Sequence, residues 1–357
     1  MSIQKQSWTL PEPPVDTYSD ELIKGAKEYS DVAVVVLSRK AGEGHNDIPM
    51  DVKKAAYDNN SDEYDDFPEG EHYLQLSQTE KDMVDMVCDN FDDVIVIYNG
   101  ANQFELGFTD EYPQIKSVVW CPGTGNVGFN ALGKVFSGEV NPSGKTPDTF
   151  IYDMTTAPWW NNGEKIEYTN LADMAVEGMN AGSPQVYAPA FTNYVEGIYV
   201  GYKYYETAAQ EGFIDYDKTV QYPFGYGLTY GDVKVTAVAW TEKPEKDRPL
   251  KLRCTVNNTG VRDTDDVVQV YIKDWKSRYA VRNYSLCGFR RVKVKAGETI
   301  EADLTIDPRA LTIVDEEGKR YVDSDEFSLY VGCTQPDERS VALTGCRPVE
   351  VRFTLGK

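Results

Sequence analysis

The chain is 357 residues long, enough for two domains of ordinary size, and its composition of 41% apolar and 26% charged residues belongs to a soluble protein with a core. Its formal charge of −22, from 58 acidic against 36 basic side chains, repels phosphate backbones and anionic lipid, which argues against nucleic-acid and membrane partners. Two histidines, His45 and His72, and six cysteines without a C-x-x-C pair give a zinc centre, a thioredoxin-like site or a Ser-His-Asp triad little to build on.

Residues 1–17, with Pro11, Pro13 and Pro14, read as an extended arm with no apolar leader, so a cytoplasmic chain with reduced thiols is expected. Ser19-Asp20-Glu21-Leu22-Ile23 has the form of a capped helix start. Val32 to Leu37 (VAVVVL) is a continuous β-branched run, which predicts a strand buried on both faces. Ser77-Gln78-Thr79-Glu80 fits a capping box, and Met83, Val84, Val87 and Phe91 follow at helical spacing. Val94 to Tyr98 and Ile115 to Trp120 predict a second and a third strand, followed by a glycine-rich turn and a helix over Asn130 to Phe136. This alternation implies parallel strands with right-handed crossovers, an α/β sandwich over 18–232. The acidic stretch 38–73 interrupts it directly after a strand, where parallel sheets place their sites; for most of its charges a solvated loop is the simpler reading.

From residue 233 to 357 the pattern changes. Val233 to Trp240, Leu250 to Asn257, Val267 to Ile272, Ile300 to Ile306 and Phe327 to Val331 read as short strands between polar turns, with no convincing helix, which predicts an all-β sandwich.

Gly123-Thr124-Gly125-Asn126-Val127-Gly128 matches the G-x-G-x-x-G dinucleotide fingerprint, and Asp148 lies twenty residues beyond it. The motif follows the third strand rather than the first, however, and Asp148 follows a turn instead of ending a buried strand. A tight strand-to-helix turn explains it better.

Longer motifs carry more. Val118-Val119-Trp120-Cys121-Pro122-Gly123, Gly128, Asn130-Ala131, Gly138 and Asn141-Pro142-Ser143-Gly144-Lys145 resemble the run WxPGxxGGxAxxxxxxGxxNPSGKL of family-3 glycoside hydrolases. Glu196 to Glu206 (EGIYVGYKYYE) and Tyr222 to Tyr230 (YPFGYGLTY) resemble that family's EGIYVGYRYYE and FPFGYGLSY. Val256-Asn257-Asn258-Thr259-Gly260, Val267 to Tyr271 and Gly288-Phe289 resemble the fibronectin type III-like domain of its β-glucosidases. The motifs run in register over roughly residues 30 to 350.

The resemblance implies a retaining β-glucosidase-like hydrolase acting on terminal β-linked sugars, with two carboxyl groups about 5 Å apart and no metal or organic cofactor. In that family the nucleophilic Asp lies on a separate (β/α)8 barrel and the acid/base Glu usually comes from the α/β sandwich. The chain shows no S/T-D-W nucleophile segment and no Lys-His pair, and a barrel needs about 250 residues, so the expectation is a C-terminal-type portion, inactive alone, with a barrel as partner in cis or in trans. Glu43, in Ser38-Arg39-Lys40-Ala41-Gly42-Glu43-Gly44, resembles the SRxxGEGxDR turn of a bacterial subgroup and is the first choice for acid/base, against a plain surface turn; Asn46-Asp47-Ile48 departs from the subgroup's Asp-Arg. Glu69 and Glu71 are rivals, because other members place the acid/base shortly before the helix that follows. His45, Trp159 and Trp160 are candidates for carbohydrate contact, the tryptophans also for packing. Residues that normally face the barrel are expected to form an apolar patch, and association into a homo-oligomer stays open. The alternative is a non-catalytic carbohydrate-binding or assembly module.

Overall fold

A computed structural model describes residues 12–39, 67, 71–160, 166–167, 169–187, 190–191 and 193–356. The chain divides into two compact units, Met1–Thr124 with Tyr152–Glu196, and Gly125–Ile151 with Gly197–Lys357.

In the first unit the Ser19 hydroxyl accepts the Leu22 amide at 3.2 Å and opens helix α1 (Asp20–Tyr29), with Asp20 and Glu21 in its first turn, where the helix dipole favours acids. Strand β1 (Val32–Arg39) follows, then helix α2 (Gln78–Asn90), strand β2 (Asp93–Gly100) and strand β3 (Ile115–Trp120). At the start of α2 the predicted capping box is complete: Ser77 Oγ accepts the Glu80 amide at 3.3 Å, and Glu80 Oε2 accepts the Ser77 amide at 2.9 Å. The three strands form a parallel sheet in the order β1-β2-β3, with Val35 opposite Val96 and Ile97 opposite Val119.

β2 is the buried centre of this sheet, with Val94, Val96 and Tyr98 fully covered. β1 departs from expectation. Val35 and Leu37 are buried, but Val32, Val34 and Val36 are 43%, 46% and 54% exposed, so the strand is covered on one face rather than two. An unbroken β-branched run says that a residue suits a strand; it does not say which face finds a cover. The described residues of the unit also include two pairs of short strands, β5 (Ile166–Glu167) with β8 (Ala190–Phe191) and β6 (Val176–Asn180) with β7 (Ser183–Tyr187), and a helical turn α4 (Leu171–Met174).

The second unit begins with helix α3 (Asn130–Phe136) and strand β4 (Phe150–Ile151), and resumes with helices α5 (Tyr202–Gln210) and α6 (Tyr216–Thr219) and strand β9 (Val220–Tyr222), which pairs with β4. An antiparallel sandwich follows. One sheet is β10 (Val233–Trp240), β11 (Leu250–Asn258) and β14 (Thr299–Ile306); the other runs β13 (Ser285–Val294), β12 (Thr264–Asp274), β17 (Glu326–Gly332) and β18 (Val349–Thr354). A small pair, β15 (Ile313–Val314) with β16 (Arg320–Tyr321), and helix α7 (Glu338–Thr344) complete it. The core alternates as a sandwich requires: Leu250, Leu252, Cys254 and Val256 of β11 share one cluster with Val268 and Val270 of β12 and Phe327, Leu329 and Val331 of β17. The expected absence of a helix after residue 233 is corrected by α7, capped by Asp337 through the Ser340 amide at 2.8 Å.

Two motifs of the sequence interlock here. Thr146, next to the Asn141–Lys145 turn, gives its amide to Tyr226 O at 2.7 Å and receives the Gly225 amide at 2.8 Å. Lys145 Nζ bonds Gly227 O at 2.7 Å and Asp266 of β12 at 2.8 Å, both ends of that ion pair buried. A Cβ on Gly227 would run into the Gly144 carbonyl, and Gly225, at φ +77°, would carry one into Gln269 of β12. Only glycine fits either place.

Candidate functional site

The carboxyl ends of β1, β2 and β3 put Arg39, Gly100 and Trp120 on one edge of the parallel sheet, the edge where such sheets bind ligands. Trp120 Nε1 donates to Gly100 O at 2.8 Å and Asn99 Nδ2 to Cys121 O at 2.7 Å, so the ends of β2 and β3 are laced together. The first-choice acid/base Glu43, its rival Glu69 and the candidate contact residue His45 lie outside the described residues.

Arg39 closes β1, and its guanidinium is buried and saturated. It bonds both oxygens of Glu80, at 2.6 and 2.5 Å, and the carbonyls of Tyr73 at 2.6 Å, Gln75 at 2.7 Å and Ser38 at 2.9 Å. The rings of Tyr73 and Phe104 lie 5.2 and 4.8 Å from its central carbon. The chain that returns to the sheet at residues 71–77 is therefore fastened to the end of β1 and the start of α2 by one side chain. Neither Arg39 nor Glu80 stands out in the sequence as a functional pair. Arg39 sits inside the S-R-x-x-G-E-G motif and Glu80 inside the capping box, and nothing local says that they meet.

Glu71, the described rival, forms an ion pair with Lys81 of α2 through Oε1, while its buried Oε2 has no hydrogen-bond partner among the described residues. His72 next to it is buried. Its Nδ1 accepts the Leu74 amide at 3.1 Å, which places the ring proton on Nε2, and that nitrogen donates to Glu105 Oε1 at 3.0 Å. The same Glu105 oxygen accepts the Met154 amide at 2.6 Å. Trp160 packs edge-on against His72, ring centres 4.8 Å apart, and Trp159 lies tilted beside it at 6.1 Å; both indoles are half-buried. The structure thus brings Glu71, His72, Glu105 and the two tryptophans to one neighbourhood. Glu105 was invisible to sequence reasoning, since a lone acid after a strand has no motif.

The Gly123–Gly128 run leads into α3, only seven residues long, whose N-cap residue Phe129 makes no side-chain bond. Among the described residues no cluster of three or more His, Cys, Asp or Glu suited to a metal ion occurs, and no helix is long and apolar enough to cross a membrane.

Residues 15–230 match the glycosyl hydrolase family 3 C-terminal domain, and residues 266–335 match the fibronectin type III-like domain. The chain is 31% identical over 317 residues to a β-glucosidase of Ruminococcus albus, covering 88% of this chain and 27% of that protein. It is 27% identical over 350 residues to the thermostable β-glucosidase B of Acetivibrio thermocellus, covering 95% of this chain and 39% of the relative. The solved structure of β-glucosidase 3B from Thermotoga neapolitana in complex with glucose superposes with a TM-score of 0.70 at 25% identity, covering 99% of this chain and 41% of that one. The chain therefore spans well under half the length of these relatives. It belongs to glycosyl hydrolase family 3, of which it carries the C-terminal domain followed by a fibronectin type III-like domain.

Proposed function

We propose that this chain supplies the acid/base side of a retaining β-glucosidase-like site, with the nucleophilic carboxylate coming from a (β/α)8 barrel in cis or in trans. The observation that carries the reading is the family match over residues 15–230 laid on a parallel sheet whose first strand ends at Arg39, four residues before Glu43. Glu43 is the acid/base: it protonates the leaving oxygen of a terminal β-linked sugar, then takes a proton from the water that releases the glycosyl-enzyme. A domain closing over Glu43 raises its proton affinity by excluding water. The ion pair with Lys81 ties Glu71 to α2, which supports Glu43 over Glu71 for this role.

The test is hydrolysis of aryl β-glucoside and β-xyloside by the purified chain at micromolar concentration, beside a Glu43→Gln control. Turnover indistinguishable from the control, restored when a barrel-bearing partner is added, is the expected result. Turnover by the chain alone that disappears in the control places a second carboxylate within this sequence and overturns the division of labour. The half-buried Trp159–Trp160 pair favours a second reading, carbohydrate binding without turnover. Glucoside-dependent quenching of tryptophan fluorescence, lost in Trp159→Ala and unaccompanied by turnover with any barrel, would support it.

A further inference from the structure

The last residue of the E-G-I-Y-V-G-Y-K-Y-Y-E motif, Glu206 of α5, is buried in the second unit. Three donors converge on its carboxyl group. Tyr216 of α6 reaches Oε1 at 2.5 Å, Tyr284, just before β13, reaches Oε2 at 2.9 Å, and the Gln335 amide also bonds Oε1. The same Gln335 nitrogen reaches Oδ2 of Asp337 at 3.1 Å, while Oδ1 of Asp337 caps α7. Glu206, Gln335 and Asp337 are all buried.

Two carboxyl groups in one buried cluster would ordinarily be balanced by a base. Here neither has a basic side chain within ion-pair distance among the described residues. Arg282 pairs with Glu211 at 2.6 Å, and Arg339 faces the Gln221 carbonyl at 3.3 Å and Asp217 at 4.0 Å. The other titratable groups around the cluster are Tyr202 of α5, Tyr271 of β12 and Cys287 of β13, none of which brings positive charge. Burial, reinforced by the charge of Asp337, pushes Glu206 up to about 8 despite its three donors. Burial likewise holds the phenols of Tyr216 and Tyr284 well above their ordinary range, so they stay protonated donors.

We propose that the Glu206–Gln335–Asp337 cluster is a proton-operated fastener: with Glu206 protonated it holds α5 and α6 on the β-sandwich, and ionisation of Glu206 loosens both helices. A neutral Glu206 turns one of its three donors away but places no second negative charge beside Asp337. An ionised Glu206 adds a second negative charge with no countercharge to meet it. The direction follows from linkage. In the unfolded chain the carboxyl titrates near 4.5 and in the folded chain near 8, so the folded form holds an extra proton between those values. Stability is fully present below the lower value, falls as pH rises toward the upper one, and is level beyond it.

The experiment is urea unfolding of the whole chain at pH 6, 7, 8 and 9, for the wild type and Glu206→Gln, with amide exchange of residues 202–210 corrected for intrinsic rate. The unfolding constant of the wild type relative to the variant is expected to rise up to about tenfold per pH unit between pH 6 and 8 and to level off by 9. Exchange in α5 rises over pH 7 to 9 in the wild type alone. Parallel profiles for the two proteins overturn the proposal. Should Glu206→Gln fail to fold, Asp337→Asn keeps the α7 cap while removing the neighbouring charge, and must make the total pH-dependent loss smaller and end it at lower pH. An unmoved profile in that variant refutes the fastener equally.

Discussion

The guanidinium of Arg39 and the carboxylate of Glu80 meet in parallel, Nη1 to Oε1 at 2.6 Å and Nη2 to Oε2 at 2.5 Å, with both side chains nearly out of water. A strand end and a helix start separated by some forty residues of sequence are thereby joined at one point, and the carbonyls of Tyr73 and Gln75 are held by the same group.

Removing one partner leaves the other charge buried and alone, so Arg39→Ala and Glu80→Ala should each cost about 3–5 kcal/mol. Replacing both with apolar residues should cost less than the sum of the two, yet stay destabilising because the Tyr73 and Gln75 carbonyls lose their donor. Urea denaturation of the four proteins as a double-mutant cycle measures both statements. A strictly additive cycle would show the pair to be uncoupled.

Gly227→Ala should prevent the close passage of Gly144 and separate the two motif segments. The expected loss exceeds the roughly 1 kcal/mol of an ordinary glycine substitution, because backbone rather than a flexible side chain stands in the way. Gly25→Ala, in exposed α1 with nothing near the added carbon, is the control and should be neutral or slightly stabilising. Thermal unfolding midpoints of the two variants compare them directly.

Lys145→Met leaves Asp266 buried without its cation and should cost about 3–5 kcal/mol, whereas Lys145→Arg should recover part of the loss. Equal stability of all three proteins in urea would remove the ion pair from the interlock.

Burial pushes the thiol of Cys254 up to about 11 and that of Cys287 to about 12, and holds Cys333 well above its ordinary range. A disulfide reagent at pH 7.5 should therefore modify the half-exposed Cys121 and Cys346 first and reach these three and the buried Cys88 only on unfolding. Raising the pH speeds the reaction by increasing the thiolate fraction. Peptide mass mapping at timed intervals gives the order.

Where local chemistry decides an element, the sequence was readable: Ser19 and the Ser77–Glu80 box start helices where their caps predict, and β3, α3 and β10 have the expected bounds. What escaped depends on distant partners. α5 is a run of tyrosines whose helical face is defined by what covers it: Tyr205, Glu206 and Ala208 are buried, and the partners of Glu206 lie at positions 216, 284 and 335. β13 was missed because its stretch Phe289-Arg290-Arg291 faces solvent and breaks the alternation of apolar residues. The candidate site shared the same fate. Glu71 and the two tryptophans could be picked out by residue type, but His72 and Glu105 come together only because the chain folds back on β2, a contact between residues thirty-three apart in sequence.

The threading of Gly144 past Gly227 bears on how such proteins exchange parts. Residues 141–146 and 222–230 lie within the stretch matched to the family's C-terminal domain, yet they are keyed into the strands of the fibronectin-like sandwich through Lys145, Asp266 and Gln269. The unit of heredity suggested by sequence and the unit of mechanical integrity are offset from one another. A recombination event at residue 232 would trade the sandwich while leaving behind the lock it was cut to fit, so viable chimaeras among relatives should carry both glycine motifs along with the β-rich tail.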